Sequence, residues 1–422
     1  MKQKMIMEWL NKNRGNAVKL LRKLIQERSI QGSESSAQAV VIETCRELGM
    51  EIDIWEPDIK EMSAHENFVS ARENFEDSPN VVAIWRGTGG GRSIILNGHI
   101  DVVPEGDLLQ WECDPYEGKV EDGKVYGRGS TDMKGGNVSL LLAINAIKSV
   151  GVKLKGDVIF QSVIEEESGG AGTLAAILRG YSADAVLIPE PTNMKIFPKQ
   201  QGSMWFRLKI KGRSAHGGTR YEGVSALEKS ILVIGKIQEL ETKRNERVKD
   251  PLFKGIPIPL PINIGKIEGG NWPSSVPDMV VLEGRIGVGP EEKLIDVKQE
   301  LAAWMNSLGE THPWFKSHPV ELEWFGAQWV PGSVELDHPF VKKLEKAYTR
   351  VEKKQPVLEA SPWGTDGGLF TQLSGIPTVV CGPGTTEVAH YPNEYISIDE
   401  MIKAAEIFAL LLMDWCEVSD EA

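Results

Sequence analysis

In the first half of the chain, segments whose apolar residues have the spacing typical of helices alternate with segments typical of short buried strands. The predicted helices are an N-terminal one that contains Leu21 and further ones over 37–48, 134–150 and 172–179. The predicted strands include 92–96, 157–164 and 183–189. Alternation of strand and helix indicates an α/β sheet whose ligands gather at the carboxyl ends of its strands.

The pattern changes near residue 202, where apolar and polar residues begin to alternate as they do in a half-exposed strand. Beyond this point the chain predicts the order βαββαβ, which favours a smaller α+β domain inserted into the first. The α/β pattern returns after residue 331 and ends with a helix over 399–418. We therefore predict a catalytic domain formed by 1–202 and 330–422 and an inserted domain formed by 203–329. The predicted fold class is α/β, with a mixed, mostly parallel sheet flanked by helices.

A glycine-rich run over 87–91 separates two strand-like segments. A dinucleotide-binding loop would be followed by a helix, but here a strand follows. The run is therefore interpreted as the turn of a hairpin.

Composition and charge limit the classes of molecule that the chain is expected to bind. The chain has 422 residues, and its 47 Lys and Arg against 60 Asp and Glu give a net charge of −13. This charge argues against nucleic acid or an anionic membrane as a partner. The four cysteines form no CxxC pair, and no stretch has the length of a membrane span. We expect a cytoplasmic protein.

A first group of candidate metal ligands follows the buried strand at 92–96. His99 and Asp101 come directly after it, and Asp132 lies in a glycine-rich turn before a predicted helix. Imidazole and carboxylate groups suit hard or borderline cations, and neighbouring glycines let the backbone approach closely. The spacing therefore predicts a metal site.

A second group follows the later strands. Glu165, Glu166 and Glu167 come directly after one strand, Glu190 follows the next, and His390 lies in a late loop. Three adjacent carboxylates repel one another, so a fold retains them where positive charge compensates. An acidic turn in solvent is the alternative interpretation of such a run.

The two groups together give five candidate ligands for a pair of divalent ions: His99, Asp132, Glu167, Glu190 and His390. Asp132 could bridge the two ions, and Glu166 could act as the general base. Asp101 is expected to accept the other N–H of His99 and to fix its tautomer. The acidic run leaves open whether Glu165 or Glu166 is the base.

The segments GHIDVVP, GRGSTDMKGG, EEESGG, PEPT, SAHGG and HYPNEYI resemble the motifs of the M20 metallopeptidases, in the family's order and over nearly the whole chain. The resemblance implies a fold of the metal-dependent exopeptidase type with an inserted lid and dimerisation domain. It implies the same five ligands, with Asp132 bridging, Asp101 orienting the imidazole and Glu166 as base. The implied cofactor is two divalent ions, with zinc as the default and cobalt or manganese feasible.

The resemblance also assigns residues that spacing alone would not mark. His216 matches a histidine that reaches the active site of a partner subunit and stabilises the oxyanion. Arg285 matches a strand arginine that grips a substrate carboxylate. Gly364, Thr365 and Asp366 match a loop that lines the substrate pocket. One departure is the pair Ser274–Ser275, which stands where family members often have Asn.

The resemblance implies a metal-dependent amidohydrolase that removes an N-acyl group from an amino acid or small amine, as acetylornithine deacetylase does. A dipeptidase, an aminoacylase or a deformylase of an N-formyl amine would use the same residues around the metal. A non-catalytic binding protein with this fold would be expected to lack a ligand or the base, and none is missing. The expected assembly is a homodimer formed through the inserted domain.

Overall fold

The structure is a computed structural model that describes residues 2–420. The helices are α1 (Lys2–Lys12), α2 (Arg14–Gln26), α3 (Ser35–Glu47), α4 (Ile59–Met62), α5 (Gly135–Ser149), α6 (Ala171–Leu178), α7 (Ala226–Arg247), α8 (Leu294–Asn306), α9 (Leu308–Thr311), α10 (Pro313–Ser317), α11 (Pro339–Glu352), α12 (Gly367–Ser374) and α13 (Ile398–Trp415).

The strands are β1 (Glu51–Trp55), β2 (Asn80–Trp85), β3 (Ile94–His99), β4 (Lys119–Glu121), β5 (Lys124–Tyr126), β6 (Val158–Val163), β7 (Val186–Ile188), β8 (Ile196–Gln200), β9 (Gly202–Lys211), β10 (Ile262–Gly269), β11 (Met279–Val288), β12 (Glu321–Trp329), β13 (Gly332–Ser333), β14 (Leu358–Ser361), β15 (Thr378–Val380) and β16 (Tyr395–Ser397). Within residues 2–420, no helix is both long and apolar enough to cross a membrane.

The chain divides into two compact units, and the larger contains a mixed sheet. This unit comprises the residues up to Lys199, Gly332–Glu359 and those from Asp366 onward. Its sheet has the strand order β1-β2-β6-β3-β7-β15-β8-β13, with β14 paired to β8. The central strands β6, β3, β7 and β15 are parallel, whereas β1, β2 and β8 join antiparallel. The predicted fold class is confirmed.

Helices α5 and α13 pack against each other in the core of the larger unit. Both are apolar around most of their circumference, and α5 is buried from Gly135 to Ile144. A helix that is apolar on all sides must be covered on all sides to leave water. This burial fixes α5 beneath the sheet edge where β3 ends.

The predicted hairpin around the glycine run is wrong, because β6 lies between β2 and β3. The glycines instead allow the backbone of this segment to lie close to the backbone of distant segments. A Cβ atom on Gly87 would lie 2.2 Å from the carbonyl oxygen of Lys155, and one on Gly91 would lie 2.4 Å from that of Cys416. Only a residue without a side chain fits at such distances.

The smaller unit comprises Gln200–Pro331 and Ala360–Thr365. It has the predicted order βαββαβ, and its strands form an antiparallel sheet with the order β10-β11-β9-β12. Alternate residues of β9, such as Phe206 and Leu208, are buried in a core shared with α7 and α8. Residues 360–365, which the sequence analysis assigned to the catalytic domain, belong to this unit. The amide of Gln201 donates to the carbonyl of Ser361 at 3.2 Å.

Candidate metal centre

Three parallel strands of the larger unit end at the same edge of the sheet, and acidic or imidazole side chains follow each of them. His99 is the last residue of β3, Glu165 to Glu167 follow β6 after one intervening residue, and Glu190 lies two residues after β7. Asp132 is supplied by the turn before α5, and His390 by the loop between β15 and β16. The sheet therefore gathers side chains that are up to 291 positions apart in the sequence.

The five predicted ligands converge in two groups that share Asp132. One carboxylate oxygen of Asp132, Oδ1, lies 3.2 Å from His99 Nε2, and the other, Oδ2, lies 3.3 Å from His390 Nε2. Glu190 Oε1 lies 3.6 Å from His99 Nε2. Glu167 Oε1 lies 3.0 Å from His390 Nε2. Each imidazole thus faces one oxygen of Asp132 and one glutamate.

Burial and the repulsion between neighbouring carboxylates dominate the electrostatics of this centre. Burial raises the pKa of Glu166 and of Glu190 well above the usual range, and their neighbouring carboxylates raise it further. Glu167 raises the pKa of His390 to about 11. Throughout residues 2–420, no lysine or arginine forms an ion pair with Asp132, Glu167 or Glu190. A cation at this position would offset the excess negative charge.

The donor set fits divalent cations. Single ligand atoms of His99, Asp132 and Glu167 lie within 4.8 Å of one another, and so do those of His99, Glu166 and Glu190. Imidazole nitrogen and carboxylate oxygen are the ligands that zinc, cobalt and manganese accept.

Asp101 is fully buried behind His99, but it contacts the imidazole differently from the expectation. The atom nearest to His99 Nδ1 is the backbone carbonyl oxygen of Asp101 at 2.8 Å, while the carboxylate lies 3.6 Å away. The carboxylate instead accepts hydrogen bonds from the amides of Glu166 at 3.3 Å and Glu167 at 3.1 Å. Asp101 therefore holds both the imidazole and the acidic turn.

The first two glutamates of the acidic turn lie in different surroundings. The carboxylate of Glu165 is 1% exposed and accepts hydrogen bonds from Arg72 and other side chains. Glu166 lies near Glu190 and His99, and its side-chain ligand atom belongs to one of the two candidate metal groups. This geometry favours Glu166 over Glu165 as the base.

Glu394 is a buried carboxylate beside the centre that sequence reasoning missed. It accepts hydrogen bonds from the amides of Gly129, Thr131 and Asp132 at 2.9–3.2 Å and from Arg128 Nη1 at 2.8 Å. It therefore fixes the turn that carries Asp132. Its position in the segment HYPNEYI was the only sequence signal, and that signal does not specify which groups it binds.

His216 and Arg285 belong to the smaller unit. The His216 side chain is exposed, and its Nδ1 accepts a hydrogen bond from the amide of Gly218 at 3.1 Å. Arg285 is half-buried on β11 opposite Trp205 of β9. Its guanidinium forms no ion pair within residues 2–420, and burial lowers its pKa. An unpaired, half-buried guanidinium can accommodate an anion.

The loop formed by Gly364, Thr365 and Asp366 is more enclosed than a pocket lining would be. Thr365 is 1% exposed, and its hydroxyl hydrogen-bonds the side chain of Gln200. Asp366 is 2% exposed, and its Oδ2 accepts a hydrogen bond from Thr173 Oγ1 at 2.6 Å. Burial raises the pKa of Asp366 to about 6. Their contact with substrate stays a prediction.

A parallel-centred α/β sheet whose strand ends gather histidines and carboxylates, together with a small α+β unit, defines the class of metal-dependent hydrolases with an inserted domain. The model of peptidase family M20/M25/M40 matches residues 95–414. The chain belongs to this family, as its motifs predict, and is a hydrolase that acts on amide bonds.

Relatives and solved structures agree with this assignment. The chain is 31% identical to the N-formyl-4-amino-5-aminomethyl-2-methylpyrimidine deformylase of Halalkalibacterium halodurans, over 91% of this chain and 90% of the relative. It is 27% identical to the acetylornithine deacetylase of Pasteurella multocida, over 82% of this chain and 85% of the relative. The di-peptidase Dug1p of Saccharomyces cerevisiae has the same fold, with a TM-score of 0.76, 16% identity and 99% of each chain covered.

Proposed function

We propose that this protein is a dinuclear metal-dependent amidohydrolase that removes an N-acyl group from a small amine or amino acid. The observation that carries the proposal is Asp132, whose two carboxylate oxygens face two different imidazoles at 3.2 and 3.3 Å. A carboxylate in this position suits a bridge between two ions. His99 and Glu190 would hold one ion, and His390 and Glu167 would hold the other, with zinc as the default metal.

Ions bound by these residues would polarise the scissile carbonyl and lower the pKa of a water molecule towards neutrality. Glu166 then takes a proton from the attacking water molecule while the oxygen of that water forms a bond to the acyl carbon. The C–N bond breaks, and Glu166 returns the proton to the nitrogen of the leaving amine. The position of Glu166 supports this role, because its carboxylate lies beside His99 and Glu190.

In this mechanism His216 stabilises the oxyanion from a partner subunit. Its Nδ1 accepts the Gly218 amide hydrogen, so the neutral imidazole carries its proton on Nε2 and can donate it. Exposed apolar side chains on the smaller unit support a homodimer through this unit. They are Leu227 and Ile231 on α7 and Ile267 on the edge strand β10, which are 51–64% exposed.

Arg285 is proposed to bind an anionic group where the substrate has one. Its unpaired guanidinium supports this role. Hydrolysis of an N-formyl amine is a second candidate, because the 31% identical relative is named as a deformylase.

A substrate screen tests the proposal. The zinc-loaded chain is incubated with N-acetyl, N-succinyl and N-formyl amines and with dipeptides, and release of the free amine is measured. We expect turnover of at least one acyl class and its loss after chelation. Absence of hydrolysis across all four classes by protein that carries two ions per chain would contradict the proposal.

A further inference from the structure

Glu165 is buried and tightly bound, although the proposed chemistry does not use it. Its backbone has φ 62°, a left-handed conformation that is unfavourable for a residue with a Cβ atom. Its carboxylate accepts hydrogen bonds from four side chains, namely Arg72 Nη1 at 3.1 Å, Gln31 Nε2 at 3.1 Å, Ser168 Oγ at 3.0 Å and Ser70 Oγ at 3.3 Å. These bonds stabilise a turn that would otherwise be unfavourable.

Arg72 connects this carboxylate to a second buried one. Its Nη1 lies 3.4 Å from Glu34 Oε1, and its Nη2 donates to Ser78 Oγ at 2.8 Å. Ser78 in turn donates to Glu34 Oε2 at 2.6 Å. Glu34 has no exposed surface, and burial raises its pKa. Loss of Arg72 would leave two buried carboxylates without their shared counter-ion, which is strongly unfavourable.

The acidic turn is therefore held from two directions. Asp101 accepts the amides of Glu166 and Glu167, and the group formed by Arg72 and Glu34 binds the side chain of Glu165. We propose that Arg72, Glu34 and Glu165 form an ionic anchor that positions Glu166 and Glu167 for metal binding and proton transfer. The inference rests on the proposed function, because it assigns these residues to the turn that carries the base and one ligand.

The anchor has a consequence that distinguishes it from a general stabilising contact. Glu167 lies on the anchored turn and faces His390, whereas Glu190 follows a different strand and faces His99. Loss of the anchor should displace Glu167 and leave Glu190 in place. One of the two ions should therefore bind more weakly while the other keeps its affinity.

Titration of the metal-free full chain with Zn²⁺, followed by calorimetry, tests the inference. In Arg72→Met, we expect about 10- to 100-fold weaker binding of one ion and unchanged binding of the other, since loss of a residue that supports a ligand has effects of this size. Arg72→Lys keeps the charge and should recover part of the loss. Glu165→Gln, which keeps the size of the side chain, should show the same selective loss if Arg72→Met does not fold.

Arg86 offers a control at a more exposed site of the larger unit, because it also bridges two carboxylates, Glu51 at 2.9 Å and Asp157 at 2.8 Å. Arg86→Met should leave the affinities of both ions unchanged. Wild-type affinity for both ions in Arg72→Met and Glu165→Gln, or equal weakening of both ions, would overturn the anchor. Failure of the wild type to bind Zn²⁺ would instead overturn the proposed function, so the two failures are distinguishable.

Discussion

His99, in the centre at the sheet edge, and His216, in a loop of the smaller unit, are imidazoles in opposite settings. At the sheet edge, His99 is 1% exposed and lies beside the buried Glu190, and throughout residues 2–420 no lysine or arginine forms an ion pair with Asp132, Glu167 or Glu190. In the loop, a single exposed imidazole has one nitrogen bound by its own turn and the other available. The first arrangement favours a cation, whereas the second has no buried charge to compensate.

Burial and exposure of a functional group therefore favour different kinds of binding partner. A buried acidic centre is energetically unfavourable unless a charge of opposite sign compensates it, so such a centre favours the binding of a cation. An exposed histidine carries no burial penalty and alone indicates no function. Its role depends on which molecule the smaller unit binds. Variants in the two regions should accordingly differ in what they change.

Glu166→Gln should produce the largest effect, because it removes the proposed proton carrier and retains the ligands. We expect kcat to fall by about 10²- to 10⁴-fold, the usual contribution of general acid–base catalysis. Metal content, measured by mass spectrometry of the purified protein, should remain that of the wild type. The exposed Glu387 provides a control, since Glu387→Gln should leave kcat unchanged. Near-normal turnover in Glu166→Gln would show that another group is the base.

His216→Ala should lower kcat by about 10²- to 10³-fold, as loss of an oxyanion donor does, and should leave metal content unchanged. The readout is steady-state kinetics on the best substrate of the screen. An equal loss of bound metal would argue that His216 belongs with the ligands and not with the oxyanion donors.

Mixing His216→Ala with Glu166→Gln subunits tests whether His216 acts on the centre of the partner subunit, because one variant lacks the oxyanion donor and the other lacks the base. If His216 acts on the partner's centre, a mixed dimer contains one active site with both Glu166 and His216. Activity should then recover to a substantial fraction of that of the wild type. No recovery, after mass spectrometry has demonstrated subunit exchange, would assign His216 to its own chain.

The smallest expected effect is that of Asp366→Asn, which should change the free energy of unfolding. Burial raises the pKa of Asp366 from 3.8 to about 6 in the folded chain, so folding favours the protonated carboxyl. Its contribution to the free energy of unfolding is greatest below about pH 4 and is lost as the pH rises through about 6. In metal-free protein at pH 8, Asp366→Asn should therefore raise the free energy of unfolding by up to about 3 kcal/mol.

The same substitution at pH 4 should give little gain, since the wild-type carboxyl is then protonated. Urea denaturation at both pH values measures the difference, with the exposed Asp337 substituted by Asn as the control. A gain of equal size at both pH values would mean that charge is not the cause.

Sequence patterns predicted the fold class and the βαββαβ order because both depend on local periodicity. They failed at the glycine run, where Gly87 and Gly91 are needed for contacts with residues far along the chain. Pairing between distant strands, such as that of β6 with both β2 and β3, leaves no local signal.

The candidate ligands could be predicted from the sequence because each follows a strand or lies in a motif, and the sheet edge brings such positions together. The residues that support them were not found. Glu394 and Arg72 act through bonds to distant groups, and the sequence around them does not specify those groups. Asp101 was found, but its bonds to the amides of the acidic turn depend on a fold that spacing does not specify.

A count of bound metal distinguishes a single ion site from two ion sites that Asp132 joins in one centre. Metal-free full-length protein is dialysed to equilibrium against Zn²⁺, and the ions per chain are measured for the wild type and for Asp132→Ala. We predict two ions per wild-type chain and loss of tight binding at both sites in the variant. A single ion in the wild type, or two tightly bound ions in Asp132→Ala, would contradict the account.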